Sequence, residues 1–238
     1  MRTGRAKWLL LPGLCIIGVL LFTALGIWQV ERLGWKLDLI ARVDQRIHAP
    51  PVAVPAPSQW LALDPQAIEF RHVAAAGSFQ HDQETLVDAL TERGAGYWVL
   101  TPLVTNGGTI LINRGFVPSD RADRRTRAAG NIDGQVSIAG LLRLSEPRGR
   151  VLRRNNPAAN RWYSRDVAAI AKARGLDAAA PFFIDADAAV NPGGLPIGGL
   201  TVVKFRNAHL VYALTWFALA ALSLGGLVII RKSALDPD

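Results

Sequence analysis

The sequence predicts a membrane α+β protein, with two transmembrane helices flanking a β-rich extracytoplasmic domain. Two observations carry that expectation. Trp8 to Val30 and Asn207 to Ile230 contain no Asp, Glu, Lys or Arg, while the residues between them alternate short β-like runs with glycine-marked turns. At 1.5 Å per helical residue the first run is about 34 Å long, enough to cross a hydrocarbon layer of about 30 Å. Trp8, Trp28, Tyr212 and Trp216 lie near the ends of these runs, where amphipathic rings seat at a membrane interface.

The elements follow in order. Residues 1–7 form an N-terminal segment, 8–30 the first span, 31–49 a helical extension and 50–58 a Pro-rich linker; 59–206 are the central domain, 207–230 the second span and 231–238 a tail. The extension is helical because Leu33, Leu37, Ile40 and Ile47 recur at helical spacing until Pro50 and Pro51 end it. A cleavable signal peptide is the competing reading of the first run, since Arg2, Arg5 and Lys7 precede it. The run exceeds the roughly 7–15 apolar residues of such a peptide.

With two spans, both termini share one side. Arg2, Arg5 and Lys7 before the first span, and Arg231 and Lys232 after the second, make that side the cytoplasm, or an organelle matrix, by the positive-inside rule. Lys204 and Arg206 flank the outer end of the second span too, so the N-terminus carries most of the orientation. Seven residues before the first span leave no room for an amphipathic transit peptide, and the expectation is a bacterial inner membrane with a periplasmic domain.

In the domain, strands are expected around Phe70 to Phe79, Thr85 to Leu90, Tyr97 to Val104, Thr109 to Asn113, Gln135 to Leu144, Phe182 to Asp185 and Leu200 to Phe205, in an antiparallel arrangement. One helix is expected from Ser164, as its cap, to Arg174, with Gly175 as its stop. Arg121 to Arg127 reads as a loop or loop edge.

Half of the residues are apolar and 19% are charged, with a net charge of +8 carried mainly by arginine. Guanidinium forks suit acidic partners. Cys15, inside the first span, is the single cysteine, which excludes an intramolecular disulfide and any cysteine-based metal or covalent haem motif. No G-x-S-x-G elbow, P-loop or G-x-G-x-x-G is present, and Gly193, Gly194, Gly198 and Gly199 sit among prolines in a loop. His48, His72 and His81 lack a ligand partner at i+4; His72 and His81 read as solvated. The basic residues between Arg143 and Arg165, with Trp162 and Tyr163, read as a solvated face or a docking patch for an acidic protein. Nucleic acid is excluded as a partner by the side of the membrane on which that loop lies.

The membrane boundary carries the candidate site. His209, Tyr212 and Trp216 sit at i, i+3 and i+7, on one helical stripe, and Trp28, Arg32 and Trp35 repeat the pattern at the outer end of the first span. An ionisable residue at the edge of a span defaults to a functional reading, against which stands an interfacial histidine that only hydrogen-bonds near the headgroups. Together the stripes offer what an axial haem site needs: a neutral imidazole, aromatic walls and an arginine for the propionates.

These residues resemble the Surfeit locus protein 1 family of cytochrome oxidase assembly factors, in a bacterial member. The match lies in Gly26-Ile27-Trp28-Gln29 with Arg32 and Trp35-Lys36, in Asn113-Arg114-Gly115-Phe116-Val117-Pro118, and in the run from Asn207 through His209 to Phe217. Gly77-Ser78-Phe79, Gly96 to Pro102 and Gly198 to Thr201 support it, while Ala208 and Phe116 depart from the family's common Asn and Trp. The resemblance implies a non-enzymatic membrane protein of the respiratory chain that transiently binds haem a and helps it reach cytochrome oxidase subunit I. His209 matches the histidine linked to haem binding and is the expected iron ligand, with Tyr212, Trp216, Trp28 and Arg32 around the haem. Implied partners are subunit I, haem A synthase and membrane lipid. The role of Asn113 and Arg114 is open between a hairpin-ending Asn with a structural Arg salt bridge and substrate contact. Two other readings stand beside this one: a haem-independent clamp that stabilises oxidase assembly intermediates, and a membrane-anchored periplasmic hydrolase.

Overall fold

The apolar period that outlasts the first uncharged run makes one long helix. In the computed structural model, which describes residues 3–150, 152–201, 203 and 205–235, α1 runs without a break over Thr3–His48, and the prolines at 50 and 51 follow its end. The other terminal helix, α4, covers His209–Leu235. Both are long and apolar enough to cross a membrane. They pack through small residues. Gly18, Phe22, Gly26 and Gln29 recur at i, i+4, i+8 and i+11 on α1, facing Ser223, Trp216, Phe217 and His209 on α4, so the pair runs antiparallel. Ala213 and Ala220 of α4 are buried, as is Gln29.

Residues 43–203 form a separate unit built on seven strands among the described residues. These are β1 (Val52–Ala53), β2 (His72–Phe79), β3 (Thr85–Thr91), β4 (Gly94–Thr105), β5 (Gly108–Pro118), β6 (Gln135–Leu144) and β7 (Ala179–Ala186). Two short helices accompany them, α2 (Pro65–Ile68) and α3 (Val167–Arg174). The strand order is β1-β2-β6-β7-β5-β4-β3. The Asn106-Gly107 pair turns β4 into β5, the strongest short hairpin signal in the sequence.

The sheet also closes on itself, because the end of β2 pairs with β4 through Ser78↔Val104 and Phe79↔Leu103. Strands β2, β6, β7, β5 and β4 thus make a ring. A Cβ at Gly77 would collide with the Val104 carbonyl, so this closure requires glycine there. Alternation then sorts the side chains into two cores. Val73, Leu103, Ile110, Ile112, Leu142, Phe182 and Ile184 fill the inside, with Trp60, Leu63 and Ile68 packed against them. Leu100, Leu111 and Phe183 point to the other face, where α3 covers them with Val167 and Ile170.

Several expectations need correction. The sheet is mixed, since β5 pairs with β7, and β1 with β2, in parallel. The chain from Ser119 to Ala178 supplies the crossover that a parallel pair needs. The described residues among 200–205 form no strand. Asp166, not Ser164, caps α3 by accepting from the Ala169 amide, while the Ser164 hydroxyl donates to the Glu146 carbonyl and accepts from the Gly149 amide. Arg121 to Arg127 is more structured than a loop: it holds tight helical turns, and Arg127 is buried in a two-point pair with Glu84.

The face between Arg143 and Arg165 is only partly solvated. Arg143 and Arg165 turn inward onto Asp185, both at 3.0 Å, and Arg165 also grips Glu146. Asn113 belongs to the same network: it lies in mid-strand, not at a hairpin end, and its amide donates to Asp185 Oδ1 at 2.7 Å. This network holds the domain's outer core together. Asp185 is 2% exposed, and two guanidiniums and an amide face it, which offsets the cost of burying a carboxylate.

Candidate functional site

A polar side chain inside an apolar helix pair is costly unless it finds a partner, and two such side chains find each other here. His209 is the first residue of α4, and its backbone amide is held by the Asn207 side chain at 3.4 Å. Its ring lies against α1, where Nδ1–H donates to Gln29 Oε1 at 2.7 Å. In a neutral ring that bond leaves the lone pair on Nε2, which has no hydrogen-bond partner among the described residues. The ring is therefore in the tautomer and orientation of a histidine ligand whose second nitrogen is fixed by an outer partner.

The other members of the two stripes fall in different places. Trp216 faces α1 and stacks on Phe22, with ring centroids 5.7 Å apart and planes 21° from parallel. Tyr212, 55% exposed, and Trp28, 54% exposed, present their rings away from the helix contact. Arg32 is also exposed, and its guanidinium lies over the Trp35 ring at 4.0 Å from the centroid. The residue brought against His209 is thus Gln29, not Trp28 or Arg32. Sequence reasoning gave Gln29 no role, although the signal was present: it is a polar residue on the same helical face as Gly18 and Gly26, the face that packs.

What this arrangement can do chemically is bounded by its donor set. One imidazole nitrogen is available for a metal centre that brings most of its own ligands, as a porphyrin iron does; Tyr212 and Trp216 follow His209 by one and two turns on α4, and Arg32 follows Gln29 by one turn on α1. Among the described residues there is no group of three or more His, Cys, Asp or Glu side chains placed to hold a bare metal ion. The residues present fit a haem with one protein ligand.

The histidines of the domain do other work. Both ring nitrogens of His72 face acceptors, Ala49 O at 2.7 Å and Asp187 Oδ2 at 2.8 Å. Burial works against its charge, but these two acceptors raise its pKa above the ordinary 6.5. His81 is buried, with Nε2 at 3.0 Å from the Ile132 carbonyl. Neither is the solvated side chain that spacing alone predicts.

A profile of the SURF1 family aligns with residues 16–221, which includes both helix ends of the His209–Gln29 pair. The chain is 40% identical over 233 residues to Surfeit locus protein 1 of Homo sapiens, covering 90% of this chain and 74% of that protein. It is 41% identical over 214 residues to the Mus musculus protein of the same name, covering 83% and 68%. A SURF1-like protein of Monosiga brevicollis is 37% identical over 245 residues, covering 97% of this chain and 89% of the relative. Similarity of that extent, covering most of the first helix, the β-rich domain and part of the second helix, means that the chain belongs to the SURF1 family.

Proposed function

We propose that this protein is an assembly factor for a haem-copper terminal oxidase, and that it binds haem a transiently and helps its insertion into oxidase subunit I. Family membership supports the oxidase role. The single observation that supports the haem reading is the His209 Nδ1–Gln29 Oε1 hydrogen bond, which leaves Nε2 free as a ligand nitrogen. His209 would hold the haem through that nitrogen, and the bound haem would supply the iron that accepts it. Tyr212, Trp216 and Trp28 offer ring surface, and Arg32 a cation for propionate carboxylates.

In this reading α1 and α4 both cross the inner membrane, with both ends cytoplasmic and the domain periplasmic. The partners are subunit I and, on the supply side, haem A synthase. The role is one of binding and delivery; no bond of the porphyrin is made or broken by this chain's residues.

A haem-independent clamp is the second reading, favoured by the exposed Arg148, Arg150, Arg153 and Arg154, which form a basic surface suited to an acidic subunit. One experiment separates the two. Wild type and His209→Ala are purified in detergent from cells that make haem a, and absorption spectra and haem-to-protein ratios are compared. We expect the haem bands to be lost or shifted in the variant while the protein stays folded. Equal spectra and equal ratios would transfer the case to the clamp.

A further inference from the structure

Four arginines of the domain have guanidiniums largely withdrawn from solvent, and three of them are matched by carboxylates. Arg127 pairs with Glu84, Arg143 with Asp185, and Arg165 with both Asp185 and Glu146. The fourth is Arg114. It is 3% exposed, yet among the described residues no carboxylate lies within 4.0 Å of it. The structural salt bridge, one of the two readings its motif left open, is absent from the described residues.

Its contacts are neutral: it donates to the Gly130 carbonyl, makes long contacts to Asn191 Oδ1 at 3.4 Å and His81 Nδ1 at 3.5 Å, and lies over the Phe79 ring at 4.8 Å. A guanidinium has five N–H donors, so among the described residues at least two remain unmatched, Nε–H among them. Arg114 also borders free space.

That space is a cavity of about 400 Å³, lined by Arg114 and Asn191 together with the apolar Phe79, Ile112, Ile132 and Ile138. Ile112 and Arg114 stand two apart on β5, and both line it. Electrostatics agree with the geometry. Burial lowers the Arg114 pKa to about 10; Glu84 pulls it up and Arg127 pushes it down, so two buried cations share one carboxylate. An uncompensated buried charge is expensive, and an anion entering the cavity would relieve it.

We propose that this cavity binds a small carboxylic acid with an apolar body, its carboxylate on Arg114 and its body against Ile112 and Ile138. Volume and lining match an ordinary small-ligand site: mostly apolar walls with a few polar groups, Arg114, Asn191, Asp187 and Ser137. Asp187 also lines the cavity, its carboxylate held by His72 at 2.8 Å. A carboxylate in the wall disfavours a second carboxylate on the ligand, which makes the site one for monocarboxylates. The inference is independent of the haem reading, since it uses no residue of α1 or α4.

The test uses the full chain in detergent micelles with 3-phenylpropionate as probe and 3-phenylpropanamide, its neutral twin, as control. Saturable binding is followed by calorimetric titration. We expect one molecule of the acid per chain, at least tenfold tighter than the amide, and at least tenfold weaker binding of the acid in Arg114→Met. Ile138→Trp fills the cavity with Arg114 intact and should weaken the acid to the same extent, which keeps the test decisive if Arg114→Met fails to fold. Absence of saturable binding, equal affinity for acid and amide, or wild-type affinity in either folded variant would overturn the proposal.

Discussion

Gln29 and His209, 180 residues apart in the chain, meet at 2.7 Å through Oε1 and Nδ1. An amide acceptor on one helix thereby sets the tautomer of an imidazole on the other. If His209 ligates iron, Gln29 is its positioning residue. Gln29→Leu should keep the ligand while reducing haem retention about ten- to a hundredfold, as loss of an outer partner does at other metal-bound histidines. Arg32→Ala should weaken retention without changing the ligand, by about 1.5–3 kcal/mol for one charge-assisted contact. The check is a spectrum and haem-to-protein ratio for each variant. Undiminished haem in Gln29→Leu would reduce the amide to a tie between helices.

The helix pair should be intolerant of bulk at Gly26. A Cβ there would stand 2.5 Å from the Phe217 ring, whereas one at Gly34 meets nothing within 4 Å. Gly26→Val is expected to cost about 1–3 kcal/mol through overpacking, and Gly34→Ala to be neutral or stabilising by up to about 1 kcal/mol. Thermal unfolding in detergent, read by a helix signal, distinguishes them. Equal melting of the two variants would contradict the close packing.

Asp185 should be the most sensitive carboxylate of the domain. Asp185→Ala would leave Arg143 and Arg165 facing each other without their shared counter-ion and Asn113 without its acceptor. A loss of about 3–5 kcal/mol is expected, as for other broken buried pairs. Denaturant midpoints give the number, and a loss below 1 kcal/mol would mean that water replaces the network.

Stability of the domain should form a plateau on the acid side of neutrality. His72 has a raised folded pKa, so its contribution is fully present below about 6.5 and is lost as pH rises through the folded value. Glu146 is opposite in sign. Burial opposes its charge, but the Arg165 guanidinium holds its pKa below the ordinary 4.5, so its contribution is present above about 4.5 and lost as pH falls through the folded value. His72→Ala should flatten the alkaline slope alone, and Glu146→Gln the acid slope alone, in denaturation series across pH. A slope that survives its own substitution would refute the assignment.

The proposed topology is checked by fusions to a periplasm-active phosphatase. Activity is expected near Gly149 and none at Asp238. The reverse pattern would turn the protein over in the membrane.

The sequence by itself determined what depends on local periodicity and composition. Uncharged runs made the terminal helices, the Leu33–Ile47 spacing carried α1 beyond its first run, and Gly175 marked the end of α3. Glycine-punctuated β-like runs located β2, β3, β4, β6 and β7 to within three residues, while β5 runs five residues past Asn113, and the Gly26, Asn113 and His209 stretches pointed to the family. Long-range pairing was decided only in the tertiary structure. The parallel β5–β7 pair and the closure of β2 on β4 join segments whose own residues carry no mark of their partner or its direction. The same reason hid the fate of the charged residues. Arg127, Arg143 and Arg165 look like any solvated arginine in a basic stretch, and only folding places Glu84, Asp185 and Glu146 against them. Gln29 and Arg114 were visible inside their motifs, but a side chain's role lies in what faces it. An imidazole faces Gln29, and a mostly apolar cavity faces Arg114, which among the described residues has no carboxylate within 4.0 Å, because distant segments pack there.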